Sequence, residues 1–89
     1  MRELINYMEQ VVKDELPRLI DLRKDVCTCE NCQLDIIAYA LNQLPPKYVV
    51  SERGHVHTKI DFVEIQHETD VTRVILQGIN TIGKRPRHQ

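Results

Sequence analysis

Three cysteines stand close together near residue 30, at Cys27, Cys29 and Cys32, in the pattern C-x-C-x2-C. Thiolates two residues apart can converge on one metal ion at about 2.3 Å each, and Cys27 can supply a third thiolate from the preceding segment. Structural zinc usually takes four ligands, which leaves one position to be filled by a histidine, a carboxylate, water or a second chain. The side chains that qualify are His55, His57, His67 and Asp35, the last of which can instead act as a hydrogen-bond acceptor beside the site.

Two other interpretations of the cysteines stay open. Cys29 and Cys32 near a helix N-terminus also resemble a redox C-x-x-C pair, in which the helix dipole lowers a thiol pKa. A redox domain of that kind needs a strand before the motif and a βαβ pattern around it, and the sequence indicates neither. The thiols can also be inert core side chains. The metal hypothesis is favoured because ion binding would add folding energy to a short chain.

Length and composition indicate one small domain over residues 1–89. One Phe, three Tyr and no Trp make the core aliphatic, and the net charge of −1 does not predict binding to a nucleic-acid polymer. Neither a signal peptide nor a membrane span is indicated. We therefore expect a reducing cytoplasmic location, where clustered cysteines are more often metal ligands or reactive thiols than disulfides.

The first predicted helix covers residues 2–16, where apolar side chains recur at spacings of three and four. Pro17 has no amide hydrogen to donate, so a kink or a break is expected there, followed by a second short helical piece over residues 18–24. The apolar residues of this stripe are Leu4, Ile5, Met8, Val11, Val12, Leu16, Leu19, Ile20 and Leu22.

The helix after the cysteines is predicted to begin at Asn31 or Cys32 and to stop by Leu44, because Pro45 disfavours the α conformation of the residue before it. The run LPPKYVV then indicates an extended, polyproline-like segment, and SERGH a turn. The predicted buried face of this helix consists of Leu34, Ile37, Ala38, Leu41 and Leu44.

Residues 58–83 are compatible with two structures. The residues from Val56 alternate as in a strand, but apolar side chains at helical spacing continue over a longer run, and strands average only about 5–6 residues. We predict a helix, bent near His67, that stops at Gly83 before Pro86. The fold class predicted from these elements is a small all-α domain with a cysteine metal knuckle. The residues that fit this helical spacing are Ile60, Val63, His67, Val71, Val74, Ile75, Gly78, Ile79 and Ile82.

The run VCTCENCQLDIIAYALNQLPPKYVVSERG, with the later ending PRH, closely resembles the signature of the late-competence protein ComFB family of bacteria. That resemblance covers nearly the whole chain and implies an all-α homodimer with zinc held by the cysteines. Some members of the family are reported as receptors for cyclic di-GMP or cyclic di-AMP. The residues that carry it are Cys27, Cys29, Cys32, Asp35, Ala40, Leu41, Asn42, Leu44, Pro45, Pro46, Tyr48, Val49, Pro86, Arg87 and His88.

A cyclic dinucleotide would need cations for its phosphates and flat groups for its bases. Arginine serves both needs, and tyrosine offers a stacking platform. A two-fold symmetric ligand also suits an interface between two identical chains. The candidate ligand-binding residues are Lys47, Tyr48, Arg53, Arg85 and Arg87, with Lys84 beside them in the basic ending.

Structural alternatives exist for each part of this hypothesis. The ending KRPRH can be a solvated tail that offsets a helix dipole, and Tyr48 can be a packing residue with a wet hydroxyl. The predicted function is a non-catalytic receptor or adaptor that passes a signal to a partner protein. The alternative is a structural or interaction module in which zinc only holds the fold. Three cysteines without a motif such as H-E-x-x-H do not predict an enzyme.

Overall fold

The computed structural model describes residues 2–52 and 61–84. In chain order, these residues form β1 (Arg2–Asn6), α1 (Tyr7–Ile20), α2 (Glu30–Gln43), β2 (Tyr48–Glu52) and α3 (Asp61–Lys84). The domain is mostly helical. The prediction of a purely all-α domain is wrong, because β1 and β2 form a short two-stranded sheet beside the helices.

The sheet is antiparallel, with Leu4 opposite Val50 and Asn6 opposite Tyr48. Residues 2–6 were predicted as the start of the first helix. Residues 48–52 were predicted as an extended, polyproline-like segment followed by a turn from Ser51, so both assignments need correction. The apolar residues of β1 fit a helical stripe equally well, and strand formation depends strongly on the neighbours available for pairing. A β-branched run after α2 supplies that neighbour only once the chain has folded back.

α1 begins after Asn6, whose side-chain oxygen accepts a hydrogen bond from the Met8 amide at 3.2 Å. The helix continues through Pro17 to Ile20, so the predicted separate piece over residues 18–24 does not form. Proline removes one hydrogen bond, the one to the carbonyl of Lys13. Because Lys13 is exposed, water can donate to this carbonyl instead.

α2 begins at Glu30, one residue before the predicted range, and turns a different face to the core. Ile36 and Ala40 are fully buried, whereas Leu34 is 57 % exposed and Ala38 is also exposed. The prediction was correct for Leu44, which is buried, and in part for Ile37 and Leu41, which pack at the edge of the core. Apolar residues surround much of this helix, so its periodicity permits two stripes, and contact with α1 and α3 selects between them.

α3 confirms the predicted last helix and excludes a strand over its range. The helix runs through Gly83 to Lys84, so Gly83 lies in the last turn instead of ending the helix as predicted. The predicted bend near His67 stays a prediction, and Pro86 lies outside the described residues.

The helices run up, down and up. Glu15 and Arg23 of the α1 side bond to Thr72 and Asn80 of α3, so α1 and α3 are parallel. The amide of Tyr7 donates to the carbonyl of Lys47 at 2.6 Å, which places the start of α1 beside the end of α2. The core lies between the three helices and consists of Met8, Val12, Leu16, Leu19, Ile36, Ala40, Leu44, Val71, Val74, Ile75 and Ile79.

Candidate metal centre and ligand surface

The three cysteines lie where the connection between α1 and α2 enters α2. Cys27 is half-buried in the connection, Cys29 is the exposed N-cap of α2, and Cys32 lies in the first turn at 1 % exposure. Their Sγ atoms all lie within 4.8 Å of one another. Among the residues that the structure describes, they are the one group of three such donors close enough to hold a metal ion.

Gln33 folds the connection onto α2. Its side-chain amide donates to the Thr28 carbonyl at 2.7 Å, and its backbone amide donates to the Cys29 carbonyl at 2.9 Å. The two bonds hold the backbone on both sides of Cys29, so the cysteine geometry is built by the helix start itself. Gln33 was not among the predicted site residues, although its place one residue after the last cysteine of the motif is visible in the sequence.

The same connection is fastened to the end of α3. Arg23 forms two hydrogen bonds to the Asp25 carboxylate, at 2.9 and 3.0 Å, and donates to Asn80 Oδ1 at 2.6 Å. The Arg23 guanidinium is the largest influence that holds the pKa of Asp25 below its usual range. Val26 packs directly over the backbone of Gly83. The cysteine connection therefore rests on the last turn of α3.

Without a metal ion, the surroundings of Cys32, the buried cysteine of the cluster, disfavour its thiolate form. Burial first, and then hydrogen bonds with Cys27 and Cys29, raise the pKa of Cys32 to about 12. A reactive thiol needs the opposite shift, toward neutral pH or below. Cys32 is therefore not the attacking thiol of a thioredoxin-like redox pair, and the connection that carries the motif follows a helix, α1, and not a strand.

The donor set fits a thiolate-binding metal. Tetrahedral zinc with bonds of about 2.3 Å places its sulfur ligands roughly 3.8 Å apart, and the sulfur atoms here already lie within 4.8 Å. Soft thiolates favour zinc, copper(I) or iron–sulfur chemistry over calcium or magnesium. When bound, such an ion would replace the thiol protons and hold the three sulfurs together.

Asp35 is the candidate fourth ligand among the described side chains. Asp35 is half-buried one helical turn after Cys32, which suits either a ligand or a hydrogen-bond acceptor. His55 and His57, together with the side chain of His67, lie outside the part of the chain that is described.

The candidate ligand-binding residues fall into separate regions. Lys47 is half-buried, and its amide donates to Asn6 Oδ1 at 2.8 Å, while Tyr48 is 63 % exposed on β2. Lys84 is exposed at the end of α3, on the cysteine side. Because the 14 residues of α2 separate these ends, Lys47 and Lys84 lie about 20 Å apart along the helix direction. Arg53, Arg85 and Arg87 lie outside the described residues.

Asn6 is a residue of this region that sequence analysis missed. One side-chain oxygen accepts from the Met8 amide and from the Lys47 amide, at 3.2 and 2.8 Å. It caps α1 and fixes the backbone that presents Tyr48. An asparagine before an apolar run is a recognised helix-start signal, but the long-range bond to Lys47 could not be read from the sequence.

Within residues 2–52 and 61–84, no helix combines the length and apolar character that a membrane span requires.

Comparison with known proteins places these features in a family context. The profile of a family described as late competence development protein ComFB matches residues 5–86. A relative named competence protein ComFB, from Bacillus subtilis (strain 168), is 31 % identical over 83 residues, which cover 93 % of this chain and 85 % of the relative. The solved structure of the late competence protein ComFB from Bacillus subtilis superposes with a TM-score of 0.78 at 30 % identity, and the match covers 96 % of each chain.

Proposed function

The chain belongs to the ComFB family, and on that premise we propose that it is a non-catalytic receptor or adaptor. In this proposal, a zinc-stapled homodimer in the cytoplasm binds a cyclic dinucleotide, cyclic di-GMP or cyclic di-AMP, and passes the signal to a partner protein. The observation that carries the proposal is the cluster of three thiols within 4.8 Å, which joins the α1–α2 connection to a buried position of α2.

The position of the thiols supports a structural role for the proposed metal. A catalytic zinc keeps an open position beside a general base in a cleft. Here Cys32 is buried in the first turn of α2, and the connection around it rests on α3 through Val26 and Gly83. An ion at this point ties together chain segments that a small domain holds weakly by packing alone.

The ligand hypothesis rests on Tyr48 and Lys47. The tyrosine ring is largely exposed on β2, where a base can stack on it, and Lys47 precedes it in a segment that Asn6 holds in place. Stacking on such a ring contributes about 1–3 kcal/mol per base. A packing role for Tyr48 within the monomer is disfavoured by its exposure.

The homodimer hypothesis has two supports. Leu4 and Val50 form a cross-strand pair whose side chains are 71 % and 38 % exposed, beside Tyr48 on the same face of the sheet. A two-stranded sheet is marginally stable alone and gains from a second surface. In addition, Lys47 and Lys84 lie at opposite ends of one domain, so a compact ligand that contacts both ends would do so across two chains.

A second candidate function is a structural or protein-interaction module connected with late competence, in which zinc only stabilises the fold. The Bacillus subtilis relative is named a competence protein, and that name supports this alternative as well as the first. Exposed Leu34 and Leu22 provide apolar surface for a protein partner in either case.

Isothermal titration calorimetry with cyclic di-GMP and cyclic di-AMP separates the two candidates. We expect saturable binding of one of them at one ligand per dimer. Tyr48→Ala should weaken this binding about tenfold or more, which corresponds to roughly 1.4 kcal/mol or more of lost stacking. Lys47→Ala should weaken it as well, whereas Lys13→Ala, an exposed lysine on α1, is the matched control and should bind normally.

Variants of the ending test the remaining candidates. Loss of binding in Arg85→Ala or Arg87→Ala, with unchanged circular dichroism, would place the tail in the site. If no cyclic dinucleotide binds the zinc-loaded protein at any accessible concentration, the receptor function is refuted and the interaction module stands.

A further inference from the structure

We propose that the cysteine cluster is also a peroxide-sensitive site, at which Cys29 and Cys32 form a reversible disulfide and release the metal ion. The proposal rests on the cluster assigned above to the metal centre. Its covalent chemistry requires no metal, so it can fail or succeed independently of the proposed zinc staple.

The two partners occupy complementary positions. Cys29 is the N-cap of the 14-residue helix α2 and is exposed, so a dissolved oxidant reaches its sulfur more readily than that of Cys32. Cys32 lies three residues later in the same turn and is buried behind it. The C-x-x-C spacing therefore joins an accessible thiol to a protected one.

The distance supports the pairing. All three Sγ atoms lie within 4.8 Å, and a disulfide requires about 2.05 Å between the two sulfurs. A rotamer change of the exposed Cys29 side chain can supply this approach without movement of the buried partner. Cys27 has one residue between itself and Cys29, and a disulfide across that shorter loop is more strained.

The reaction balances with a peroxide as the oxidant. The Cys29 sulfur attacks one peroxide oxygen and becomes a sulfenic acid, while the O–O bond breaks and the other oxygen leaves as water with the thiol proton. The Cys32 thiol then loses its proton and attacks that sulfur, so that the S–S bond forms as the S–O bond breaks and water leaves. With hydrogen peroxide, two thiols and one peroxide yield one disulfide and two waters. The disulfide offers no thiolates, so a bound ion loses two of its three cysteine ligands.

This chemistry would reach beyond the cluster. Arg23 and Val26, in the connection that carries the cysteines, hold Asn80 and Gly83 at the end of α3. Release of the ion loosens that connection, and the candidate ligand residues Arg85 and Arg87 follow directly after α3 in the sequence.

The experiment uses the full chain in zinc-loaded and metal-stripped forms, treated with one equivalent of hydrogen peroxide. Peptide mass mapping should identify a Cys29–Cys32 disulfide in both forms, and a chromogenic chelator should detect zinc release at the rate of disulfide formation. Dithiothreitol should restore the thiols and, with added zinc, the loaded protein. Cys27→Ser should form the same disulfide.

The decisive variant is Cys29→Ser. Serine is a preferred N-cap residue, so this variant should retain the start of α2. Its remaining thiols should react with peroxide roughly tenfold or more slowly than those of the wild type, because the exposed thiol of the cluster is gone and the other two are half-buried or buried. A rate equal to that of the wild type would overturn the proposal. So would a bond involving Cys27, a bond between two chains, or oxidation that stops at irreversible sulfinic acid.

The two proposals fail in different ways. If the chain holds no zinc but the metal-stripped protein still forms the Cys29–Cys32 disulfide, the redox site stands and the metal centre is wrong. If zinc binds at one equivalent and peroxide produces no intramolecular disulfide, the redox site is wrong and the metal centre stands.

Discussion

Position 83 requires glycine because of its contact with Val26, and not because the helix ends there. A Cβ atom at Gly83 would lie 2.6 Å from Val26 Cβ and 2.7 Å from its Cγ1, closer than carbon atoms approach in folded proteins. The glycine allows the α1–α2 connection to lie directly on α3. The position of the cysteine cluster therefore depends on the absence of one methyl group elsewhere in the chain.

Gly83→Ala is expected to lower the free energy of unfolding by about 1–3 kcal/mol, the usual cost of overpacking a tight contact. Helix propensity alone would favour alanine by about 1 kcal/mol, so the contact reverses the ordinary sign of the substitution. Urea denaturation measures the change. Thr81→Ala, at an exposed position two residues earlier in α3, is the matched control and should stay within about 0.5 kcal/mol of wild type.

Adding Val26→Ala to Gly83→Ala should recover part of the lost free energy of unfolding, because the smaller side chain at position 26 leaves room for the added methyl group. A Gly83→Ala variant as stable as Thr81→Ala would show that the connection does not press on α3.

At the scale of elements, a hydrogen bond between the largely shielded side chain of Glu15 and Thr72 joins α1 to α3. The Glu15 carboxylate accepts from Arg18 at 2.7 and 3.1 Å within α1, and from Thr72 Oγ1 at 3.2 Å on α3. The Arg18 guanidinium is the main cause that lowers the pKa of Glu15 below its ordinary value of 4.5, and Thr72 adds to the effect. Burial of the carboxylate works in the opposite direction.

The lowered pKa predicts a pH-dependent contribution to stability. Since the folded value lies below the unfolded one, the contribution is complete above about pH 4.5 and is lost as the pH falls through the folded pKa. Wild type should therefore be more stable than Glu15→Gln at pH 7, and the difference should shrink on acidification toward pH ~3. Thermal unfolding across this range measures it.

Asp70→Asn serves as the control, because the Asp70 carboxylate is exposed and lies 3.3 Å from the Arg73 guanidinium in a surface pair of small worth. It should change stability little at any pH. A Glu15→Gln difference that is constant or grows as the pH falls would contradict the assignment of this carboxylate.

At the scale of the whole molecule, a chain of 89 residues with an aliphatic core gains much from a staple. The core lies between three helices, and the connection that carries the thiols crosses the end of this bundle, against α2 and α3. An ion there would restrain all three helices at one end, while the sheet and Asn6 join α1 and β2 at the other.

Metal removal is expected to lower the melting temperature by roughly 10 °C or more, because each kcal/mol corresponds to about 4–8 °C in a domain of this size. The measurement is a thermal melt before and after a strong chelator, with zinc re-addition restoring the original value. Cys32→Ser should melt low and no longer respond to chelator. The metal staple would be refuted if elemental analysis found no metal in the purified protein and chelators left its melting temperature unchanged.

Much of the fold was predictable where the pattern is local. The helical spacing of Val71, Val74, Ile75 and Ile79 predicted their burial, and all four are in the core. The face of α2 was predictable only in part. Leu34 and Ala38 share a helical pattern with Ile37 and Leu41, and no local property distinguishes the stripe that meets α1 and α3 from the stripe that meets solvent.

The sequence by itself determined the family, the last helix and the closeness of the three thiols, because these depend on residue types and spacings within short stretches of chain. Only the tertiary structure decided that residues 2–6 form a strand, that Val26 needs Gly83, and that Lys47 and Lys84 lie at opposite ends. Each of these depends on a contact or a separation between residues distant in sequence, and such relations exist only when the helices and strands pack together.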